Sequence, residues 1–534
     1  MTTTLPSADA ATDTSTAGVL APGAPLRAAD SSTALRRRPG IRGLAIIAGI
    51  LAAAVSFAGS WIPSFWGDEA ASVMSAERPV STLFGMVQHI DAVHGLYYLF
   101  LHGWIGLFGA SELSARLPSA IGVGLAAAGT VVLAALLFDR RIAVIAGVVF
   151  AILPRVTYMG AEARSYALST AIAVWLTVLL VVLLRRRTSK ALPWLLYSLG
   201  IALAIYSFLY LILLGVVHAI VLLTMPGART VLKRWFGAVG LGTVLALPVI
   251  AWALGEHGQI SFLGRRPKFS PQLIFINQWF GNNSLALLCW ALIAAGVVAA
   301  AWVWRRRSLL GARAAQGLPV GTLPVGVIVA VSWLVLPTLL LELGNAFIAP
   351  MYTTRYLSFC TPAVALLVAT GIAVFGKCWI PLAAVALLAA LAAPSYLGQR
   401  GPYAKNGGSD WRQASAVIGQ RARPGDAIIF DTATKPSQRP RLAMRLYPAD
   451  YAGLDDVALV TPYDQGTALW DTVARLDRVT GRLASAGTVW AMEMKPSGSS
   501  TPADVVELER LGFQVQHEYP IHQTTVYGLS KETP

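Results

Sequence analysis

Long apolar runs separated by short charged loops occupy the chain from residue 43 to residue 395. Runs of about 18 or more apolar residues are typical of transmembrane helices, because about 20 helical residues cross the hydrocarbon core of a bilayer. We therefore predict an α-helical polytopic membrane protein. Its eleven predicted spans lie at 43–61, 116–138, 142–159, 165–184, 192–206, 208–224, 235–254, 284–304, 322–342, 361–376 and 378–395.

The basic residues set the predicted orientation of these spans, since cytoplasmic loops of membrane proteins carry an excess of Lys and Arg. With eleven spans and a cytoplasmic N-terminus, all but one of the basic clusters beside the spans fall inside. If 192–224 formed one long tilted helix instead of two short spans, Arg185 and Lys233 would lie on opposite sides. The predicted outward segments are 62–115, 160–164, 255–283, 343–360 and the chain from 396.

The apolar segment 96–109 is predicted to lie along the outer membrane surface rather than to cross the bilayer. Its length is typical of interfacial or re-entrant segments. Counting it as a span would also reverse the orientation of every later span. Its Tyr and Trp residues favour the membrane–water interface.

The two ends of the chain have a different character. Residues 1–34 are rich in Thr, Ala, Ser and Pro, so we predict a disordered cytoplasmic tail over 1–42 and a transmembrane domain over 43–395. After residue 396 the chain is polar, and short apolar runs alternate with helix-like stretches such as 410–422 and 503–512. This alternation predicts a small extracytoplasmic α/β domain over 396–534. The apolar runs are at 427–430, 457–460, 488–491 and 525–528.

The composition agrees with a membrane protein and argues against a nucleic-acid partner. Hydrophobic residues make up 55% of the chain and charged residues 13%, whereas a soluble protein carries about a quarter charged residues. The net charge of +15 comes from Arg and Lys beside apolar runs, where they orient the protein, and no basic stripe is interleaved with exposed aromatic residues. The three cysteines have neither metal-ligand spacing nor a disulfide pattern.

Two adjacent carboxylates, Asp68 and Glu69, follow the first predicted span by a few residues. Carboxylates beside a membrane are costly unless they are solvated, paired or functional. One of them can serve as a general base that takes the proton from an attacking hydroxyl. The alternative is a helix start, since Asp caps helices well and Glu suits the first turn.

Arginines on the predicted outer side are candidates for phosphate binding, because the guanidinium group presents a fork of hydrogen-bond donors. Arg164 lies in a short loop beside Glu162, with which it can also simply pair, and Arg355 leads into the tenth span. The basic cluster at 265–268 breaks the positive-inside pattern, so it is either a phosphate site or a solvated loop. The candidate substrate-binding and donor-binding residues are His94, Tyr97, Tyr98, Glu162, Arg164, Tyr166, Arg265, Tyr352 and Arg355.

In their order along the chain, these motifs resemble the polytopic glycosyltransferases of the GT-C fold. Within that fold they are similar to a family 39-like group that includes protein O-mannosyltransferases and the aminoarabinose transferases of lipid A. The resemblance covers about residues 40–395. It is carried by W-G-D-E-A at 66–70, H-G-L-Y-Y at 94–98, R-L-P-S at 116–119, E-A-R-S-Y-A-L at 162–168 and T-R-Y-L at 354–357.

The resemblance implies a plasma-membrane glycosyltransferase that moves a sugar from a polyprenyl phosphate to a hydroxyl of a glycolipid, glycan or protein, with inversion, on the outer face. Mannose is the expected sugar, since the Ala-rich and Arg-rich composition is typical of a high-GC bacterium such as an actinobacterium. Asp68 and Glu69 would be catalytic, and Arg164 and Arg355 would contact the donor phosphate. The scheme requires no cofactor, although a divalent metal is compatible with it. The family often has His-Pro-Pro where this chain has residues 94–96, so the acceptor stays open, and arabinose and glucose remain alternatives to mannose.

Two other classes of function remain compatible with the sequence. A secondary transporter also has many spans, but it uses charges within the membrane, whereas here Glu342 is the nearest example and no repeated halves are visible. A non-enzymatic assembly protein of the cell envelope would use the α/β domain to bind a partner.

Overall fold

The computed structural model describes residues 40–225, 230–256, 269–314, 322–376, 379–405, 407–495 and 500–531. Arg265, Cys378 and all but the last three residues of the predicted tail lie outside these ranges. Residues 40–534 group as one compact unit.

Helices occur at all eleven predicted spans. Within the described ranges, six are long and apolar enough to cross a membrane: Glu112–Leu137, Tyr166–Arg186, Asn283–Arg306, Leu323–Phe347, Thr354–Ala373 and Trp379–Gly398. A seventh span forms if Leu232–Leu245 and Leu247–Gly255, which meet at a 53° bend, are counted together. Ile41–Phe57, Ala191–Ser207 and Leu209–Thr224 are shorter apolar helices. The predicted polytopic membrane protein is thereby confirmed, while the sidedness of its termini stays a prediction.

The helices of the membrane part are, in chain order, α1 (Ile41–Phe57), α2 (Gly67–Glu77), α3 (Val80–Val87), α4 (Gly95–Phe108), α5 (Glu112–Leu137), α6 (Arg140–Ile152), α7 (Pro154–Met159), α8 (Tyr166–Arg186), α9 (Ala191–Ser207), α10 (Leu214–Thr224), α11 (Leu232–Leu245), α12 (Leu247–Gly255), α13 (Asn283–Ala314), α14 (Thr322–Phe347), α15 (Thr361–Ala373) and α16 (Trp379–Gly398). Helix α4 contains most of the segment predicted to lie at the membrane surface.

Local chemistry explains two breaks and one close contact in this bundle. Pro154 separates α6 from α7, because proline has no amide hydrogen to continue the helical pattern. Phe208 is extended and ends α9, so the predicted pair over 192–224 is two helices. Helices α1 and α5 meet at Gly49 and Gly124, where a Cβ on Gly49 would stand 2.9 Å from the Gly124 carbonyl oxygen. Small residues of this kind let helix backbones approach closely in membrane proteins.

The C-terminal part forms the expected α/β unit around a five-stranded sheet of order β2-β1-β5-β7-β6. Strand β1 is parallel to β2 and β5, and β7 is antiparallel to β5 and β6. Strand β6 was not predicted, because its mostly exposed residues lack an apolar run. The strands are β1 (Ala427–Phe430), β2 (Asp455–Asp456), β3 (Leu459–Thr461), β4 (Thr472–Val473), β5 (Thr488–Met494), β6 (Phe513–Pro520) and β7 (Thr524–Lys531), and the helices are α17 (Trp411–Arg421), α18 (Arg441–Leu446), α19 (Thr480–Ala484) and α20 (Ala503–Arg510).

Polar contacts join this unit to the loops between α1 and α5. The Arg412 guanidinium pairs with the Glu112 carboxylate, and the Tyr447 hydroxyl donates to the same carboxylate at 2.6 Å. Tyr447 also accepts a hydrogen bond from the Phe65 amide at 3.1 Å. The α/β unit is therefore packed directly on the segment that carries Asp68 and Glu69.

Candidate active site

The two adjacent carboxylates lie in the first turn of α2, directly after Gly67. A carboxylate is stabilised there by the positive end of the helix dipole. Gly67 is required at this position, because a Cβ would approach the Ser437 carbonyl oxygen of the C-terminal unit to 1.9 Å. Successive residues of a helix point about 100° apart, and the two carboxylates have different surroundings.

Glu69 is completely buried in an ion pair with Arg116. The two side chains form parallel hydrogen bonds of 2.7 and 2.5 Å, and the Glu69 carboxylate also accepts from the Ala163 amide at 2.8 Å. Burial by itself would raise the pKa of Glu69, but the charge and hydrogen bonds of Arg116 outweigh it and lower that pKa. Arg116 further donates to carbonyl oxygens of the segment before α2, at Ser60, Pro63 and Ser64.

Asp68 is instead partly exposed and faces a cavity. Its carboxylate lies 2.7 Å from the guanidinium of Arg355, and both side chains keep about a quarter of their surface accessible (23% and 24%). Arg355 also lies over the ring of Trp66, 5.4 Å from its centroid. The structure therefore brings Asp68 and Arg355 together, although 287 residues separate them, as predicted from their shared sidedness.

Arg164 is held in a network of neutral and acidic groups. Its guanidinium donates to the Asp68 carbonyl (3.2 Å), the Ser72 hydroxyl (3.3 Å) and the Tyr98 hydroxyl (3.4 Å), and it lies 2.7 Å from Nε2 of His94. Burial and the neighbouring arginines lower the pKa of His94 well below its usual value, so its imidazole is neutral and Nε2 accepts. Partners on several sides preorganise Arg164.

Asp91 completes this network in an unusual backbone conformation. It has φ of 61°, a left-handed conformation that costs a non-glycine residue about 1 kcal/mol. Its carboxylate accepts a hydrogen bond from the Tyr98 hydroxyl at 2.8 Å. Burial raises the pKa of Asp91, and the nearby charge of Arg164 counteracts that shift only in part.

The cavity that these groups share has a volume of about 320 Å³, within the range of about 300–1,000 Å³ typical of small-ligand sites. The membrane part lines it with the start of α2, the loop before α4, the short loop before α8, the break between α9 and α10, the end of α12 and the segment before α15. The C-terminal unit closes a further side. The lining residues with functional side chains are Asp68, Asp91, His94, Arg164, Tyr210, Glu256, Arg355, Tyr356, Ser437 and Trp470.

Tyr97, Tyr98, Glu162, Tyr166 and Tyr352, which were also predicted, are not among the residues that line this cavity. Tyr97, Glu162 and Tyr166 are buried, and both carboxylate oxygens of Glu162 lack a hydrogen-bond partner among the described residues. Burial raises the pKa of Glu162, against the opposing charges of Lys405 and Arg355. Tyr352 donates to the Gln278 side chain at 2.5 Å, away from Asp68. Arg265 falls outside the described residues.

Several site residues were missed by the sequence reasoning. Arg116 belongs to the R-L-P-S motif, but its pairing with Glu69 depends on the approach of α5 to α2. Lys405 is buried with its ammonium group 4.4 Å from the Tyr158 ring centroid, and burial lowers its pKa to about 8. Glu256 and Trp470 come from distant segments without a motif. Among the described residues, no group of three or more His, Cys, Asp or Glu is arranged to hold a metal ion.

Comparison with known proteins agrees with this architecture. Residues 96–252 match the dolichyl-phosphate-mannose-protein mannosyltransferase family. The crystal structure of ArnT from Cupriavidus metallidurans in the apo state superposes with a TM-score of 0.52 at 13% identity, covering 91% of this chain and 98% of that one. The apo oligosaccharyltransferase of Archaeoglobus fulgidus gives 0.50 at 12% identity, covering 85% and 70%. No curated protein sequence matches significantly. The chain is thus a multi-span membrane protein with the GT-C glycosyltransferase fold.

Proposed function

We propose that the protein transfers a sugar, mannose in particular, from a polyprenyl-phosphate donor to an acceptor hydroxyl. The observation that carries this proposal is the Asp68–Arg355 pair, which opens onto the cavity with Arg164 beside it. Transfer of a sugar from a phosphate to a hydroxyl uses a base that accepts the hydroxyl proton and positive charges that stabilise the departing phosphate. The carboxylate and the two arginines supply these groups. The family match over residues 96–252 supports a polyprenyl-phosphate mannose donor, and the predicted sidedness supports an outer-face reaction.

In the proposed reaction the acceptor oxygen attacks the anomeric carbon from the face opposite the phosphate. The bond between that carbon and the phosphate oxygen breaks, its electron pair stays on the phosphate, and the configuration inverts. Asp68, which lines the cavity, acts as the general base and takes the proton of the acceptor hydroxyl. Arg355 stabilises the charge that develops on the departing phosphate.

The Asp68–Arg355 ion pair gives this scheme an order of events. A donor phosphate that enters the cavity competes with Asp68 for the Arg355 guanidinium, which binds either anion through its fork of donors. Donor binding would therefore release the Asp68 carboxylate for proton transfer. Arg164 is held by its own partners and supplies a second, fixed positive charge.

Glu69 has a positioning role in this proposal. Its carboxylate oxygens are occupied by Arg116 and the Ala163 amide, and no part of the side chain is exposed. The same pair connects α2 to α5 and to the short loop that carries Arg164. Of the two predicted catalytic carboxylates, we therefore assign the proton transfer to Asp68.

The experiment that tests the proposal uses the full chain reconstituted in liposomes with radiolabelled polyprenyl-phosphate mannose. Wild-type protein should consume the donor, and Asp68→Asn should do so about 10²–10⁴-fold more slowly, the usual contribution of a general base. Asp477→Asn, at an exposed carboxylate of the C-terminal unit, is the matched control and should behave as wild type. Undiminished turnover by properly inserted Asp68→Asn would remove Asp68 from this role. Vesicle uptake of the sugar without a new glycosidic bond would favour a transporter instead.

A further inference from the structure

The C-terminal unit lines the cavity with Ser437 and with a loop between β3 and β4, residues 462–471. Leu469 and Trp470 of this loop line the cavity together with Asp68. Leu469 is buried in an apolar cluster with Ala71 and Leu101, which places the loop firmly against α2 and α4. The middle and the end of the loop are held separately.

In the middle of the loop, Arg78 from the segment after α2 holds the backbone. This completely buried guanidinium donates to the carbonyl oxygens of Gly466 (2.9 Å), Ala468 (2.5 Å) and Leu469 (3.2 Å). At the end of the loop, the Asp471 carboxylate accepts from Arg445 and from Arg441. A wall fixed in this way is preorganised, because little conformational entropy remains to be lost when a ligand contacts it.

Trp470 presents a half-buried indole at this wall. Carboxylates line the same cavity: Asp91, in its left-handed conformation, and Glu256, which accepts from the Ala92 amide at 3.2 and 3.1 Å. A carboxylate oxygen has two lone pairs, so each group can accept further hydrogen bonds. His94 also lines the cavity, is 6% exposed, and its Nδ1 has no hydrogen-bond partner among the described residues.

An aromatic side chain and carboxylates that line one cavity match the chemistry of a sugar ring. One face of a pyranose is made of C–H groups, which pack on the electron-rich face of an indole. The hydroxyls at its edge donate to carboxylates, and a hydroxyl oxygen can accept from the Nδ1–H of the neutral His94 imidazole. A peptide acceptor, by contrast, presents backbone amides and one hydroxyl, for which three carboxylates in one cavity are a poor match.

From these contacts we infer that the acceptor is itself a hexopyranoside, seated with its apolar face on Trp470 and its hydroxyls on Asp91 and Glu256. This inference rests on the proposed glycosyl transfer and names its acceptor class. Trp470 is then the residue of the C-terminal unit that determines acceptor specificity, and the small α/β domain forms part of the active site.

The test measures transfer of labelled mannose from the polyprenyl-phosphate donor to chemically defined acceptors. The probes are the octyl glycosides of mannose, glucose and galactose, with octanol as a control for the alkyl chain and a Ser/Thr-rich peptide as the competing class. We expect transfer to at least one octyl glycoside. For that acceptor, Trp470→Ala should raise KM about tenfold while kcat and the donor KM change little. Trp470→Phe should restore most of the affinity, and Val460→Ala, exposed on strand β3, should match wild type.

The possible failures are distinguishable. If wild-type protein consumes the donor by hydrolysis or by transfer to the peptide, yet uses no octyl glycoside, the sugar-acceptor inference is overturned while the proposed function stands. An acceptor KM that is unchanged in Trp470→Ala overturns the role of Trp470. If wild-type protein does not consume the donor under any condition, the proposed function fails and the inference fails with it.

Discussion

Matched amide substitutions at the adjacent carboxylates should separate stability from catalysis. Glu69→Gln removes the charge that compensates Arg116 inside the protein, where neither side chain is exposed. Breaking a buried ion pair costs about 3–5 kcal/mol, because the remaining charge stays desolvated. Arg116 keeps its bonds to three carbonyl oxygens, so we expect the lower end, about 3 kcal/mol.

Asp68→Asn should leave the stability almost unchanged. Asp68 and Arg355 are each about a quarter exposed (23% and 24%), and ion pairs in contact with solvent contribute about 0–1 kcal/mol. Arg355 also keeps its contact with the Trp66 ring. The expected loss lies in the rate of sugar transfer, with the unfolding temperature near that of wild type.

The assay compares both variants in the same detergent at one heating rate, with unfolding followed by tryptophan fluorescence. Because the entropy of unfolding grows with chain length, Glu69→Gln should unfold about 3 °C below wild type, and Asp68→Asn within about 1 °C of it. Equal losses of unfolding temperature in both variants, or a Glu69→Gln variant as stable as wild type, would show that the buried ion pair does not stabilise the fold.

The pH dependence of stability gives an independent check. Because the folded protein lowers the pKa of Glu69, its contribution is present above the ordinary value of 4.5 and is lost as the pH falls through the lowered pKa. The Glu69→Gln difference should therefore shrink at acidic pH.

Three further predictions concern ligands. Arg355→Ala should raise the donor KM and lower kcat, so that kcat/KM for the donor falls about 10²–10³-fold. A wild-type kcat/KM in steady-state kinetics would exclude Arg355 from phosphate binding. Burial raises the pKa of Glu256 to about 7, with Asp91 adding to the shift and His89 opposing it. The KM of a hexopyranoside acceptor should therefore fall as the pH rises through 7, where the carboxylate gains its charge, and Glu256→Gln should flatten this profile. Chelation with EDTA should leave transfer unchanged, because Arg164 and Arg355 supply the positive charge; loss of activity that Mg²⁺ or Mn²⁺ restores would contradict this.

The sequence by itself determined the membrane-embedded helices and the predicted orientation of the loops between them. Apolar runs of sufficient length have few alternatives in a bilayer, since backbone groups there must be satisfied within a helix. The break at Phe208 could be predicted because only two helices keep the flanking basic clusters on one side. The alternating runs after residue 396 likewise predicted an α/β unit, but not its polar strand β6 or the two-residue strands β2 and β4.

The sequence also identified the residue types of the site, but not their roles. Asp68 and Glu69 are neighbours with the same functional group, and nothing in the local pattern distinguishes a buried structural carboxylate from one that faces a cavity. That difference arises because α5 brings Arg116 to Glu69, whereas the segment before α15 brings Arg355 to Asp68.

Only the tertiary structure decided how the cavity is completed. Trp470 lies about 400 residues from Asp68 in the chain, in a loop with no motif of its own. It reaches the site because Arg78 holds that loop next to α2, while Asp471 fixes it to α18. Hydropathy and spacing report on neighbours within one helix or strand. Contacts between segments far apart in sequence depend on packing, and this is the level at which the acceptor side of the site is built.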